Sequence, residues 1–571
     1  MTSQFPVLVL TLAWAVLAMS LMGWGLLGAR WILPTGASPS VVLRRALWID
    51  LLVVAVAAMA LDAALPLGGS AALWMLGAVV AIGLVSAVVV VSGAIRRSGR
   101  GLPVLWWGSL VLLAVILLVF AGWALGHPSN YDTGLYHIGA IHYARDFPLI
   151  PGLANLHERF GFNSSMWPLS AWLGSPVWTG NEFRVINGLL VTLLLTDTTL
   201  RIVRSHRSRV LPGTVITTVG SVLVLGVLAQ YPGRLLASSA QDTAALILGL
   251  VAVAYFSDAM SQRDWWMRPE QRSALAVSIL VATSGALMRP LAWVLVAMFV
   301  LVALATAAVG GYVLTAVRSL TPAALLVLIA GAVVAVRDYL LSGWLLYPAG
   351  LVAFPVDWRY PDPAVSSDRI TAWARTPFQD VDTTLASSSW VGGWLERLPT
   401  DWSIPTLGAL LLLALVLWWR GRGRRDPWLY RGCLWALFPV FALVIAWFIT
   451  APDPRFAWAG IVGLGLVPVG FLAQEIRLSR MLMGSVAALA ALLVLATVRG
   501  SWTQWSLVPV DPPVAETIEG VLSDGTAVVM PTPGDQCWAT YPLCRPEYES
   551  DAVELRGPTV ESGFRPMSSA S

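Results

Sequence analysis

Long apolar runs recur along the chain, separated for the most part by short polar connections. A helix needs roughly 20 apolar residues to cross the hydrocarbon core of a bilayer. Fourteen runs approach that length: 5–28, 47–66, 71–94, 103–125, 183–200, 211–230, 240–257, 273–288, 290–310, 321–340, 404–419, 432–450, 456–474 and 481–498. Three longer polar segments break the rhythm: Gly126–Glu182, Leu341–Trp402 and the tail Gly500–Ser571. The pattern predicts an all-α, polytopic transmembrane helix bundle of about fourteen spans, with two large loops and a small C-terminal element.

Composition supports this reading. Only 12% of the 571 residues are charged and mean hydropathy is +0.73, whereas soluble domains carry roughly a quarter charged residues. The 29 tryptophans suit a chain that meets two membrane interfaces. The first run is too long for a signal-peptide core and no small-residue cleavage site stands out, so a retained span is expected. The formal charge of +4 is spread without blocks of like charge, and no nucleic-acid motif appears, so nucleic acid is not an expected partner.

All 36 basic residues are arginine, and their placement orients the bundle. Arginine in short connections marks the cytoplasmic side. With the even-numbered connections outside, the inner ones hold Arg30, Arg44 and Arg45, then Arg96, Arg97 and Arg100, then Arg201, Arg204, Arg207 and Arg209. Next come Arg263, Arg268 and Arg272, the cluster from Arg420 to Arg431, and Arg477 with Arg480. Every dense cluster falls on one side. Both termini and the three polar segments are therefore expected outside the cell membrane, and residues 1–102, 103–499 and 500–571 read as extra spans, core and external element.

The external segments carry most of the candidate chemistry. In SNYDTGLYHIGAIHYARD, Asn130 or Asp132 is placed to cap a helix over about Thr133–Arg145. Asp132, Tyr136, Gly139 and Tyr143 would share one face, with Leu135, Ile138 and Ile141 opposite, predicting an amphipathic helix lying on the membrane surface. A second short helix is expected around Asn155–Phe160. His137 and His142 are five apart, so they do not share a helix face as metal ligands would, and no metal is expected. The lone DVD at Asp380–Asp382 is too short to change that. Tyr347, Trp358 and Tyr360 could stack on sugar rings or anchor their loop. Cys537 and Cys544, in CWATYPLC, suit a disulfide in an oxidising exterior, the alternative being two free thiols; Cys433 lies in an apolar run and reads as core.

The layout resembles the GT-C superfamily of membrane glycosyltransferases, which place an acidic residue just past a span, at the start of a large external loop with membrane-parallel helices. Asp132 in NYDTGLYH occupies that place. The loop follows the fourth run rather than the first, so three N-terminal spans are additional. A closer likeness is to a group of uncharacterised GT-C-like bacterial polytopic proteins. It rests on GLANLHERFGFNSS, SGWLLYPAGLVAFPVDWRYP, APDPRFAWAG, GDQCWATYPLC, ELRG and SGFR.

The resemblance implies inverting sugar transfer from a polyprenyl-phosphate donor to a glycan, lipid or protein acceptor of the cell envelope. The lipid-linked sugar would be a co-substrate, with no further cofactor. A carboxylate must take the acceptor proton and cations must balance the leaving phosphate. Asp132 is the expected base and Glu158 the second carboxylate candidate, unless Glu158 only pairs with Arg159. Arg455, in APDPRF, and Arg289, in ALMRPLAW, are the expected phosphate ligands. Otherwise Arg455 snorkels beside Asp453 and Arg289 pairs with Asp242. Tyr136, His137, Arg159, Asn163 and Asp242 are further candidate substrate contacts, although Asp242 could simply sit at a helix N-terminus. A lipid or glycan transporter and a non-catalytic envelope-assembly protein are the rival classes.

Overall fold

The computed structural model describes residues 6–32, 39–98, 104–205, 210–421, 426–474, 498–549 and 552–567. Its helices are α1 Pro6–Ile32, α2 Pro39–Asp62, α3 Ser70–Ser98, α4 Val104–Ala124, α5 Ile138–Asp146, α6 Leu153–Leu156, α7 Met166–Trp178, α8 Val185–Ser205, α9 Pro212–Gln230 and α10 Pro232–Leu235. They continue with α11 Gln241–Met260, α12 Pro269–Met288, α13 Trp293–Gly310, α14 Val313–Ser342, α15 Pro363–Arg375, α16 Val381–Ala386, α17 Trp390–Arg397, α18 Ser403–Arg420, α19 Pro427–Thr450 and α20 Trp458–Ala473.

Among the described residues, ten helices are long and apolar enough to cross a membrane: α1, α3, α8, α9, α11, α12, α13, α14, α18 and α19. Shorter apolar stretches, Gly108–Ala124 of α4 and Trp458–Ala473 of α20, fall on two more of the expected runs. The run expected at 47–66 is α2, which starts earlier and keeps Arg44, Arg45, Asp50 and Asp62 buried. The run expected at 481–498 lies, but for Val498, outside the described residues.

The helices pack around α11, which is buried almost throughout and touches α8, α9, α12, α19 and α20. The N-terminal helices are built into this bundle: α1 packs on α8, and α2 on α8, α12 and α14. Arg337 of α14 donates to Asp62 of α2 (2.6 Å) and to the Met59 carbonyl (2.9 Å).

At the arginine-rich end, three of the arginines expected in open connections are interior instead. Arg44 and Arg201 face Asp197 and Asp258 (Arg201 Nη1 to Asp258 Oδ2, 2.6 Å), and Arg45 donates to Ser273. The helices carrying them run longer than their apolar cores, so these charges meet other helices and are neutralised there. Side chains at 30, 96, 97, 100, 204, 207, 209, 422, 424, 425, 477 and 480 lie outside the described set.

At the other end the three polar segments join into one cap. The second segment forms the hairpin β1 Trp344–Leu346 with β2 Leu351–Ala353. The tail forms β3 Thr517–Val521 with β4 Ala527–Pro531, and β5 Val553–Leu555 with β6 Phe564–Pro566, all antiparallel. The all-α expectation therefore holds for the bundle, and the cap adds three small two-stranded sheets. The tail is docked: the Phe564 N–H donates to the Pro151 carbonyl (3.0 Å), and Arg556 Nε to Asp357 (2.9 Å). Trp505 packs on Gly122 of α4, where an added Cβ would come within 2.1 Å of the indole. Cys537 and Cys544 form a disulfide.

The expected surface helix is not at a surface. Residues Thr133–His137 form a π-helical turn leading into α5, and both faces of the segment are covered, Leu135, Tyr136, Ile138, Ile141 and Tyr143 all being buried. The tail supplies the missing cover: Trp538 lies on Gly134, Leu543 donates its N–H to the Tyr143 hydroxyl (3.2 Å), and Tyr541 packs on Tyr143. The helix expected around Asn155–Phe160 is split into α6 and a 3₁₀ turn at Glu158–Gly161.

Candidate functional site

The first question at Asp132 is whether it merely caps the turn that follows. It does not. The Thr133 N–H donates to Asn130 Oδ1 (3.2 Å), and Asp132 makes no capping hydrogen bond. Asp132 directly precedes this π-helical turn, a geometry common at functional sites, and its side chain is 27% solvent-exposed and faces Arg455.

Arg455 arrives from a distant part of the chain. Asp453 caps the 3₁₀ turn Pro454–Ala457 by accepting from the Arg455 N–H (3.0 Å), which fixes the residue between α19 and α20. Its guanidinium faces three carboxylates: Nη1 is 3.7 Å from Asp132 Oδ2 and 3.8 Å from Asp242 Oδ2, and Nε is 3.5 Å from Asp453 Oδ2. These are ion contacts longer than good hydrogen bonds, and the buried Nε has no hydrogen-bond partner. Arg289 closes the cluster by pairing with Asp242 in the first turn of α11. Aromatic rings fix the stack: Arg455 Cζ lies 4.6 Å from the Trp373 ring centre and 4.9 Å from that of Phe456, and Arg289 Cζ lies 4.0 Å from Phe456.

Electrostatics follow from this crowding. Burial alone would raise the Asp132 carboxyl, but Arg455, His137, Arg159 and Arg289 together hold it below the usual range. Asp453 is raised, because burial outweighs Arg455. Arg455 is raised: burial works against its charge, and Asp242, Asp132 and Asp453 overcome that. Below Arg455 and Arg289 a narrow crevice of about 20 Å³ runs between α11, α13, α19 and α20, walled by Leu246, Leu295, Leu443 and Trp458.

His137 is buried against Trp167, with Nδ1 3.1 Å from the Thr133 hydroxyl. Burial, aided by Arg455 and Arg289, lowers it to about 4 against the pull of Asp132 and Asp242. His142, packed on Tyr541, is likewise lowered to about 4, first by burial and then by Arg145. Both are neutral at pH 7. For a base whose folded pKa lies below its unfolded value near 6.5, the unfolded chain binds more protons between pH 6.5 and 4. Stability is thus expected to drop as pH falls from 6.5 to 4, by up to about 1.4 kcal/mol per pH unit for each histidine. Unfolding midpoints measured from pH 7 to 4 check this, and His142→Phe should shallow the slope.

The other sequence candidates separate. Tyr136 lies between Phe162 and Trp167, edge-on to both. Arg159 sits over Phe162 and within the field of Asp132, so it belongs to the cluster's border. Glu158 makes the expected pair with Arg159 (3.5 Å) and also fastens the cap. Its carboxylate accepts from the Ser366 hydroxyl (2.7 Å) and pairs with Arg369 (3.1 Å), while its N–H donates to Glu549, which also holds His157. It thereby ties all three polar segments together. Asn163 is held on α14: it donates to the Val334 carbonyl (2.9 Å) and accepts from Arg337 (3.0 Å), so both ends of its amide are engaged there.

Tyr347, Trp358 and Tyr360 are anchors rather than platforms. The Tyr347 hydroxyl bonds Ser366 and the Glu158 carbonyl, Trp358 Nε1 donates to the Tyr339 carbonyl, and the Tyr360 carbonyl accepts from Trp344. Asp380 caps α16 through Thr383. The aromatic that does meet the cluster, Trp373 of α15, carried no sequence signal. Phe456 did: it directly follows Arg455 in DPRF.

Glu158 is buried, whereas Arg369 is 36% exposed. Breaking an ion pair from one side costs up to about 3–5 kcal/mol when the charge left behind is buried. Arg369→Ala, which leaves the Glu158 carboxylate to Ser366 and to Arg159 at 3.5 Å, is therefore expected to lower unfolding stability in detergent by more than Glu158→Ala, which strands a partly exposed guanidinium.

These features define a multi-pass membrane protein in which distant helix ends gather a charge cluster beneath an ordered cap. The chain belongs to the family described as a domain of unknown function (DUF8201), which matches residues 7–462. That match includes Asp132, Asp242, Arg289, Asp453 and Arg455. No curated protein and no solved structure matches the chain significantly.

Proposed function

We propose that the protein is a GT-C-type inverting glycosyltransferase of the cell membrane, moving a sugar from a polyprenyl-phosphate donor to a cell-envelope acceptor at the outer face. The single observation that carries the reading is the meeting of Asp132 with Arg455 (3.7 Å) across more than three hundred residues of chain, at the helix ends under the cap. In the reaction an acceptor hydroxyl attacks the anomeric carbon, Asp132 takes the hydroxyl proton, and the bond from that carbon to the phosphate oxygen breaks. Polyprenyl phosphate leaves carrying the negative charge.

Arg455 and Arg289 meet that charge with planar N–H forks. The Arg455 Nε, in ion contact with Asp453 at 3.5 Å but without a hydrogen bond, supports this role. So does a consequence for the base: as phosphate draws on Arg455, the hold on Asp132 weakens and its basicity rises. A prenyl chain would enter along the crevice between α11, α13, α19 and α20, whose volume of about 20 Å³ requires those helices to part on binding. Trp373 offers the sugar an aromatic face beside the phosphate site.

Transport is supported less well. Arg289 and Asp242 stand at helix ends beside Asp132, not midway along a through-path. The test is transfer of labelled sugar from polyprenyl-phosphate donors by the purified protein. Binding of donor without transfer, and with release on the opposite side of a vesicle, would replace this reading by transport.

A further inference from the structure

A second cavity lies at the far end of α19 from Asp453. It measures about 1070 Å³ and sits between the end of α13 and the first half of α19. Its walls are apolar and open sideways: Leu434, Phe438 and Phe441 line it and are 67%, 49% and 55% exposed. Its lining donors outnumber its acceptors. Arg263 and Arg431 line it, neither with an ion-pair partner among the described residues, against the single carboxylate of Asp264. Trp266 and Trp428 also line it, and each has a buried indole N–H without a hydrogen-bond partner. Trp266 is only 6% exposed and is fixed by stacking on Tyr312. A buried donor left unmade costs free energy, so two beside two guanidiniums point to an acceptor-rich ligand.

We infer that this cavity is a binding site for an anionic diacyl phospholipid, its phosphate held by Arg263 and Arg431 and its chains along α13 and α19. A soluble anion would leave the large apolar wall unfilled. A prenyl phosphate carries acceptors only at its head, whereas a diacyl lipid also brings ester carbonyls for Trp266 and Trp428. Basic pockets between membrane helices on the positively charged side recognise anionic head groups in this way. The site is independent of the chemistry at Asp132.

The experiment is native mass spectrometry of the delipidated full chain, titrated with phosphatidylglycerol, phosphatidylcholine or undecaprenyl phosphate. Phosphatidylglycerol is expected to bind at least tenfold more tightly than phosphatidylcholine. Arg263→Gln with Arg431→Gln, both at exposed positions, should abolish that preference while leaving phosphatidylcholine binding unchanged. Trp266→Phe, which keeps the ring, should weaken phosphatidylglycerol severalfold. Equal binding of the two phospholipids by the wild type, or an unaltered preference in the double variant, overturns the inference. Tighter retention of undecaprenyl phosphate than of phosphatidylglycerol overturns it as well, in favour of a carrier-lipid site.

Discussion

Asp132→Asn is expected to lower sugar transfer by about 10²–10⁴-fold, the range that a positioned general base contributes, while the protein remains folded. Asparagine has the same shape and cannot accept the acceptor proton. Arg455 keeps Asp242 and Asp453, so no buried guanidinium is stranded. Donor binding should persist, which separates loss of chemistry from loss of the site. The pH behaviour follows from the lowered Asp132 carboxyl. A depressed folded pKa contributes stability that is present above the unfolded value, near 3.9, and is lost as pH falls through the folded one. The acid limb of the transfer rate should accordingly lie below the ordinary carboxylate range in the free enzyme and move upward once donor occupies Arg455. Full transfer by Asp132→Asn, measured with labelled polyprenyl-phosphate sugar, would exclude the proposed base.

Arg455→Gln is expected to have two effects. Three carboxylates, Asp132, Asp242 and Asp453, lose their shared counter-charge, and breaking a buried ion pair from one side costs about 3–5 kcal/mol. Unfolding in detergent should register that loss. Transfer should also fall by about 10²–10³-fold, as when one preorganised charge-stabilising donor is removed. Arg455→Lys sharpens the test, because an ammonium keeps the charge but presents no planar fork. It should recover most of the stability and little of the transfer. The acid limb should shift to higher pH in Arg455→Gln, since the largest opposing charge at Asp132 is gone. A glutamine variant with undiminished donor affinity and transfer would assign Arg455 to structure alone.

The long apolar runs and the position of Asp132 at the head of a polar loop were legible because each is a local property of a few tens of residues. Arg455 and Arg289 were legible for the same reason: a charge at the edge of an apolar run must find a partner. For Glu158 and Asn163, residue type and neighbourhood could not show that Ser366, Arg369 and α14 engage their polar atoms. Burial of the Thr133–Arg145 segment was invisible too, since its cover comes from Trp538 and Tyr541, some four hundred residues away.

By itself, then, the amino-acid sequence determined the helical membrane character and the three polar segments, which follow from hydropathy and spacing along the chain, while the bond between Cys537 and Cys544 is given by the structure. The tertiary structure alone decided that Asp132 faces Arg455, that Trp373 and Phe456 flank that guanidinium, and that Glu158 fastens the cap. Those contacts join segments hundreds of residues apart, and nothing in local periodicity encodes which helix ends converge when the apolar faces pack.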